Sequence, residues 1–205
     1  MLLNPSSAIS RHGSIPLPWR TFLLGLIATG LYLLFGPAPE TLVYNRTEIV
    51  NGEWWRLITA HWVHSDGQHA LWDIGMLLLL GGVSERYLGR HIFSIMVAAS
   101  LLLSICIWFF LPWLEYYCGL SGILHTLLAI SMFTLWDKQR NLLFLLIIGA
   151  TVLKTLVELN INTALVTNTA WPILSQSHLF GLFLGITFLA VDITWKFHQT
   201  HRPVF

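Results

Sequence analysis

Residues 115–131 read EYYCGLSGILHTLLAIS, a serine held between two glycines at the mouth of an apolar run. Further on, residues 175–186 read SQSHLFGLFLGI, a second apolar run whose histidine, His178, lies fifty-seven positions after Ser121. A serine hydroxyl is a weak nucleophile until a base takes its proton, and a neutral imidazole is the usual base near neutral pH. The two stretches are therefore read together, as two ends of one site carried by two helices.

The rest of the chain says what surrounds those helices. Of 205 residues, 55% are apolar and 10% charged, against about 25% charged in a soluble domain. A bilayer suits that composition better than water does. A net charge of +1 gives no electrostatic support to nucleic-acid binding. Two cysteines, Cys106 and Cys118, are too few for a disulfide framework.

A spanning helix needs about 20 mostly apolar residues. Six stretches approach that length, at 20–36, 69–84, 92–112, 119–136, 141–159 and 177–195. Arg11, Arg20, Arg86, Arg90, Lys138, Arg140, Lys196 and Arg202 fall on one side of such a chain, with Arg46 and Arg56 on the other. The positive-inside rule then places both termini in the cytoplasm. The expected fold is an all-α integral membrane protein, six helices in one compact domain over 1–205. It has a cytoplasmic segment at 1–19, an interfacial Trp-rich loop at 37–68 and a cytoplasmic tail at 196–205. Span one, with Arg residues before a short apolar core, is also open to reading as a cleaved signal peptide. Pro39 after Ala38 argues against cleavage there, and an anchor is the preferred reading.

Polar side chains at membrane depth are costly and point to function or to a specific partner. They gather at His61, His64, His69 and Asp73, at Ser121 and His125, and at His178. The even-numbered spans enter from the same side, so these groups share a depth. Gly119 and Gly122 allow close approach beside Ser121. The N–H groups of Leu120 and Ser121 open a helix and have no intrahelical acceptor, which makes them candidate oxyanion donors. Gly181 and Gly185 follow His178 at i+3 and i+7, a small-residue stripe suited to tight packing of that helix against the one carrying Ser121. Each feature has a plainer alternative. Gly-Ser-Gly at a helix start also serves packing, a membrane histidine can be a structural hydrogen-bonder, and the histidine cluster can be interfacial polarity or a metal site. The lack of an HExxH motif disfavours a zinc protease, and no metal or cofactor is expected. Lys154 and Glu158, one turn apart, read as a mutually neutralising pair. Glu85 and Arg86 read as a cytoplasmic span end.

The ordered set WWRLITAHWVH (54–64), His69 with Asp73, LGGVSERYLG (80–89), GLSG (119–122) and HLFGLFLG (178–185) resembles the rhomboid intramembrane serine proteases. The resemblance implies Ser121 as nucleophile, His178 as base and His69 as an oxyanion-stabilising group. Asp73 stands where the family has asparagine, and an ionised carboxylate there would repel an oxyanion. His125 stands where many rhomboids have an aromatic stacked on the catalytic histidine. The run from Tyr117 through Gly119, Leu120, Ser121, Gly122, Leu124 and His125 is most similar to the rhombosortase branch, apart from Thr126 in place of a glycine. That branch implies a multi-pass enzyme of the bacterial inner membrane with its site open to the periplasm. Its implied partners are exported membrane proteins ending in a glycine-rich motif, a transmembrane helix and a basic tail. The alternatives are a non-catalytic rhomboid-like protein that binds membrane helices, and a metal or solute transporter.

Overall fold

A computed structural model describes residues 17–161 and 163–200, with side chains described as far as Val191. The expectations placed on residues 1–16 and 201–205, Arg11 and Arg202 among them, and on the Lys196 side chain lie outside the described residues.

Six long helices dominate: α1 (Trp19–Phe35), α4 (Gly67–Leu88), α5 (His91–Phe110), α6 (Ser121–Gln139), α7 (Leu143–Ile161) and α8 (Ser175–Thr200). Their first residues fall within two positions of the expected ones. Of these, α5 and α7 are long and apolar enough to cross a bilayer, and α1 and Ser175–Val191 are shorter apolar helices. Helices α4 and α6 are diluted by the polar residues that build the site.

The loop between α1 and α4 is more structured than an interfacial loop requires. It holds α2 (Arg46–Val50), α3 (Arg56–Thr59) and a 3-10 turn at Ala60–Trp62. It also adds the one departure from all-α architecture among the described residues. β1 (Tyr44–Asn45) pairs antiparallel with β2 (Tyr116–Tyr117), Tyr44 opposite Tyr117. This short ladder ties the loop to the approach of α6.

Both basic residues of that loop serve its fold. Arg46 donates to the carbonyls of Trp108 and Leu111 at 3.0 Å each, satisfying the end of α5, whose last carbonyls have no intrahelical partner. Arg56 is buried and donates to the carbonyl of Val43 at 2.8 Å and to the Glu53 carboxylate at 2.6 Å. Glu85, in the last turn of α4, serves the fold in the same way: it is buried, and its carboxylate accepts from the N–H and hydroxyl of Thr21 at 2.8 Å each and from Arg20 N–H at 3.2 Å. The orphan donors at the start of α1 require such an acceptor.

Helix α6 is the hub, in contact with α4, α5, α7 and α8. Gly122, Ile123, Leu124, Thr126, Leu127, Ala129, Ile130 and Ser131 are all buried. Its most extensive partner is α8, and small residues make that possible. A Cβ on Gly181 would overlap the carbonyl of Gly122, and one on Gly185 would lie 2.7 Å from the Ala129 methyl. The Thr126 hydroxyl crosses the seam to the Gly181 carbonyl at 3.0 Å. Helix α7 is the most peripheral of the long helices, burying only Thr155 and Glu158.

Candidate active site

Close packing of α6 against α8 sets the depth of Ser121 against that of His178. Ser121 is the first residue of α6, and His178 lies in the first turn of α8. The hydroxyl oxygen of Ser121 and Nε2 of His178 are 3.0 Å apart. His178 is buried, and its ring stacks on that of His125, with centroids 4.2 Å apart and planes 9° from parallel. His125 is held in turn by a 2.7 Å contact from Nδ1 to the Ser121 carbonyl. His125 thus packs on His178 and makes its hydrogen-bond contact with the Ser121 backbone. On the far side of the ring, Nδ1 of His178 has no hydrogen-bond partner and faces Glu158 Oε2 at 3.9 Å.

The approach to Ser121 is shaped by Gly119, whose φ of +120° favours glycine; a Cβ there would come within 2.5 Å of His69 Nε2. Gly119 is fixed by its N–H to the Ala60 carbonyl and by its own carbonyl, which accepts from the Tyr117 hydroxyl, both at 3.0 Å. His69 sits in the first turn of α4, whose start is capped by Asp66. Asp66 accepts from the His69 N–H at 2.9 Å and from the Ala170 N–H at 2.7 Å, which ties the loop before α8 to α4. Burial works to raise the Asp66 pKa, and these hydrogen bonds outweigh it, so the carboxyl lies below its ordinary value. Nδ1 of His69 lies 3.0 Å from the Ser65 hydroxyl, and Nε2 lies 3.3 Å from Asp73 Oδ2.

Asp73 differs most from expectation. Its Oδ2 accepts the Leu120 N–H at 2.8 Å and also lies 3.4 Å from Nε2 of buried His64. The Leu120 N–H, read from sequence as open toward a bound group, is therefore already satisfied. A carboxylate at the positive end of α6 is electrostatically at home there. His61 takes no part in the cluster. Its Nε2 pairs with the Ser104 hydroxyl at 2.9 Å, and that hydroxyl donates to the Leu57 carbonyl. Among the described residues no group of three or more His, Cys, Asp or Glu side chains has an arrangement that could hold a metal ion.

Two cavities, of about 570 and 280 Å³, are both lined by His69 and Ser121. The larger runs past Tyr116, Cys118 and Trp171; the smaller also reaches His125, Lys154 and His178. Burial, reinforced by the charges of Asp73 and Asp66, pushes the Cys118 thiol up to about 12, so it holds no thiolate to compete with Ser121. A serine hydroxyl and an imidazole thus stand together beside an accessible space at one end of a helical bundle.

These features define a helical membrane protein with a candidate hydrolytic site at one end. Residues 51–195 match the family described as Rhomboid domain. A relative from Bacillus subtilis (strain 168), "Putative rhomboid protease YdcA", is 28% identical over 191 residues, covering 85% of this chain and 89% of the relative. The chain belongs to the rhomboid family.

Proposed function

We propose that this chain is an intramembrane serine endopeptidase in which Ser121 is the nucleophile and His178 the base. The observation that carries the reading is the 3.0 Å separation of the Ser121 hydroxyl and His178 Nε2, within reach for proton transfer. The hydroxyl proton passes to Nε2 as the oxygen attacks a substrate carbonyl, and the resulting imidazolium returns it to the leaving amine. The oxyanion is held by the Ser121 N–H and by His69 as donor, with the Leu120 N–H joining them if Asp73 withdraws. Stacking on His125 keeps the imidazole plane aimed at Ser121. Water enters through the cavities and hydrolyses the acyl-enzyme.

The wider reading rests on charge distribution and motif likeness. Six spans with both termini in the cytoplasm follow from the arginine and lysine asymmetry. This puts Ser121 within a bacterial inner membrane near its outer face, in a site that opens toward the periplasm. Likeness to the rhombosortase branch names the substrates: exported membrane proteins with a glycine-rich C-terminal motif, a transmembrane helix and a basic tail. No cofactor is required.

A second reading, a non-catalytic binder of membrane helices, draws on the Asp73 carboxylate occupying the Leu120 N–H. A fluorophosphonate probe on the detergent-solubilised full chain separates the two. Covalent labelling of the wild type, absent in Ser121→Ala and reduced at least about a thousandfold in His178→Ala, supports the protease. An unlabelled wild type supports the binder.

A further inference from the structure

Helix α7 buries a carboxylate where a peripheral apolar helix would be expected to bury aliphatic side chains. Glu158 is 1% exposed and, with Thr155, makes up the buried face of that helix. An ionisable group at membrane depth is costly unless something specific holds it. Three groups surround it. Lys154 Nζ lies 2.7 Å from both carboxylate oxygens, the Leu165 N–H donates to Oε1 at 2.9 Å, and His178 Nδ1 lies 3.9 Å from Oε2. Neutralising Lys154 does not by itself demand this placement. The lysine side chain is 33% exposed, and a glutamate reaching out to it would satisfy the pair without burial. The carboxylate is instead turned inward, toward a ring nitrogen that is buried and without a hydrogen-bond partner. Leaving such a nitrogen unsatisfied is unfavourable.

We infer that Glu158 is a positioning residue for His178, a third member that faces Nδ1 while Nε2 faces Ser121. The inference rests on the proposed serine protease reading. With the proton on Nδ1, Nε2 is left free to accept, and the Ser121 proton moves to Nε2 while the Nδ1 proton stays in place. The imidazolium so formed lies beside a carboxylate. At 3.9 Å the contact is about 1 Å longer than a hydrogen bond, and contacts of this kind tighten when substrate binds. Lys154 is the competing partner. Drawn toward the lysine, the carboxylate stands off from the imidazole, so loss of the lysine frees it for His178.

The test measures covalent labelling by a fluorophosphonate on the full chain in detergent, separating kinact from KI, with thermal unfolding alongside. Under the inference E158Q lowers kinact at least about tenfold, short of the roughly ten-thousandfold seen when a fully bonded triad carboxylate is neutralised. KI stays within about twofold, and K154M keeps or raises kinact. A merely structural ion pair predicts that E158Q and K154M fall together, or that both keep kinact and lose only stability; either result overturns the inference. Should E158Q fail to fold, the K154M/E158Q double variant removes both charges and gives the same reading. It falls well below K154M if Glu158 positions the base, and matches K154M if it does not. A wild type that does not label would sink the protease reading itself, separately from the role of Glu158.

Discussion

The backbone N–H of Leu120 donates to Oδ2 of Asp73 at 2.8 Å, so the donor next to the candidate nucleophile is held by a carboxylate from another helix. The same oxygen lies within 3.3 to 3.4 Å of His69 and His64. The Asp73 charge therefore stabilises the start of α6 and, under the proposed mechanism, opposes the oxyanion that would form at the same place.

Replacing Asp73 by Asn separates those roles. The amide oxygen still accepts from Leu120, and the charge is gone. D73N is expected to raise the rate of Ser121 labelling by about tenfold, on the order of part of one oxyanion donor. D73A leaves the buried N–H without an acceptor and costs about 1–3 kcal/mol of stability. Labelling kinetics and thermal unfolding of the two variants check this. A D73N variant slower than wild type would mean that the carboxylate helps the reaction.

His125 supplies a flat surface to His178, and the 9° interplanar angle is that of a stack. H125F keeps the ring and is expected to label at near the wild-type rate. H125A loses an aromatic contact of about 0.5–1.5 kcal/mol, a slowing of about 2- to 12-fold. If Phe and Ala variants slow equally, the imidazole nitrogens matter more than the ring face.

The glycine seam can be tested without touching either Ser121 or His178. A methyl on Gly181 meets the carbonyl of Gly122, so G181A must push α8 away from α6. Overpacking of this kind costs about 1–3 kcal/mol, and an ångström added between Ser121 and His178 costs about a hundredfold in rate. Gly149, with nothing within 4 Å of its hypothetical Cβ, provides the control: G149A should leave labelling unchanged. Gel filtration with thermal unfolding distinguishes a displaced helix from a lost fold.

His61, in the loop outside the spanning helices, gives a pH dependence. Burial lowers its pKa from 6.5 to about 4, outweighing hydrogen bonds that work to raise it. Between those values the unfolded chain binds a proton that the folded chain refuses. Its contribution therefore falls as pH drops from 6.5 and levels off below about 4, a change of about 3 kcal/mol. H61Q should show a flatter stability profile than wild type across that window in detergent. Parallel profiles would show that His61 is not held neutral.

Much of this arrangement is legible in the sequence. Apolar runs and their punctuation located the six long helices, because helix start and length follow from local composition. The spacing of His178, Gly181 and Gly185 put the candidate base and the seam on one helical face. The capping roles of Glu85, Arg46 and Asp73 were not legible. Each satisfies orphan backbone groups on a helix at least 47 residues away in sequence, and no local pattern says which side chain will reach which helix end. The Lys154–Glu158 pair was legible as a one-turn pair, but its direction was not, since which face of α7 turns inward depends on how α7 docks.

Sequence alone determined that this chain belongs in a bilayer and that a serine, a histidine and the small residues beside them open two of its helices. Those are matters of hydropathy and helical period, set within a few turns of chain. Tertiary structure decided that the two side chains lie within hydrogen-bonding distance, that Asp73 already holds the Leu120 N–H, and that Glu158 lies behind the imidazole. Distances of this kind arise only when helices dock, because backbone donors, buried charges and glycine gaps from separate parts of the chain must all be satisfied at once.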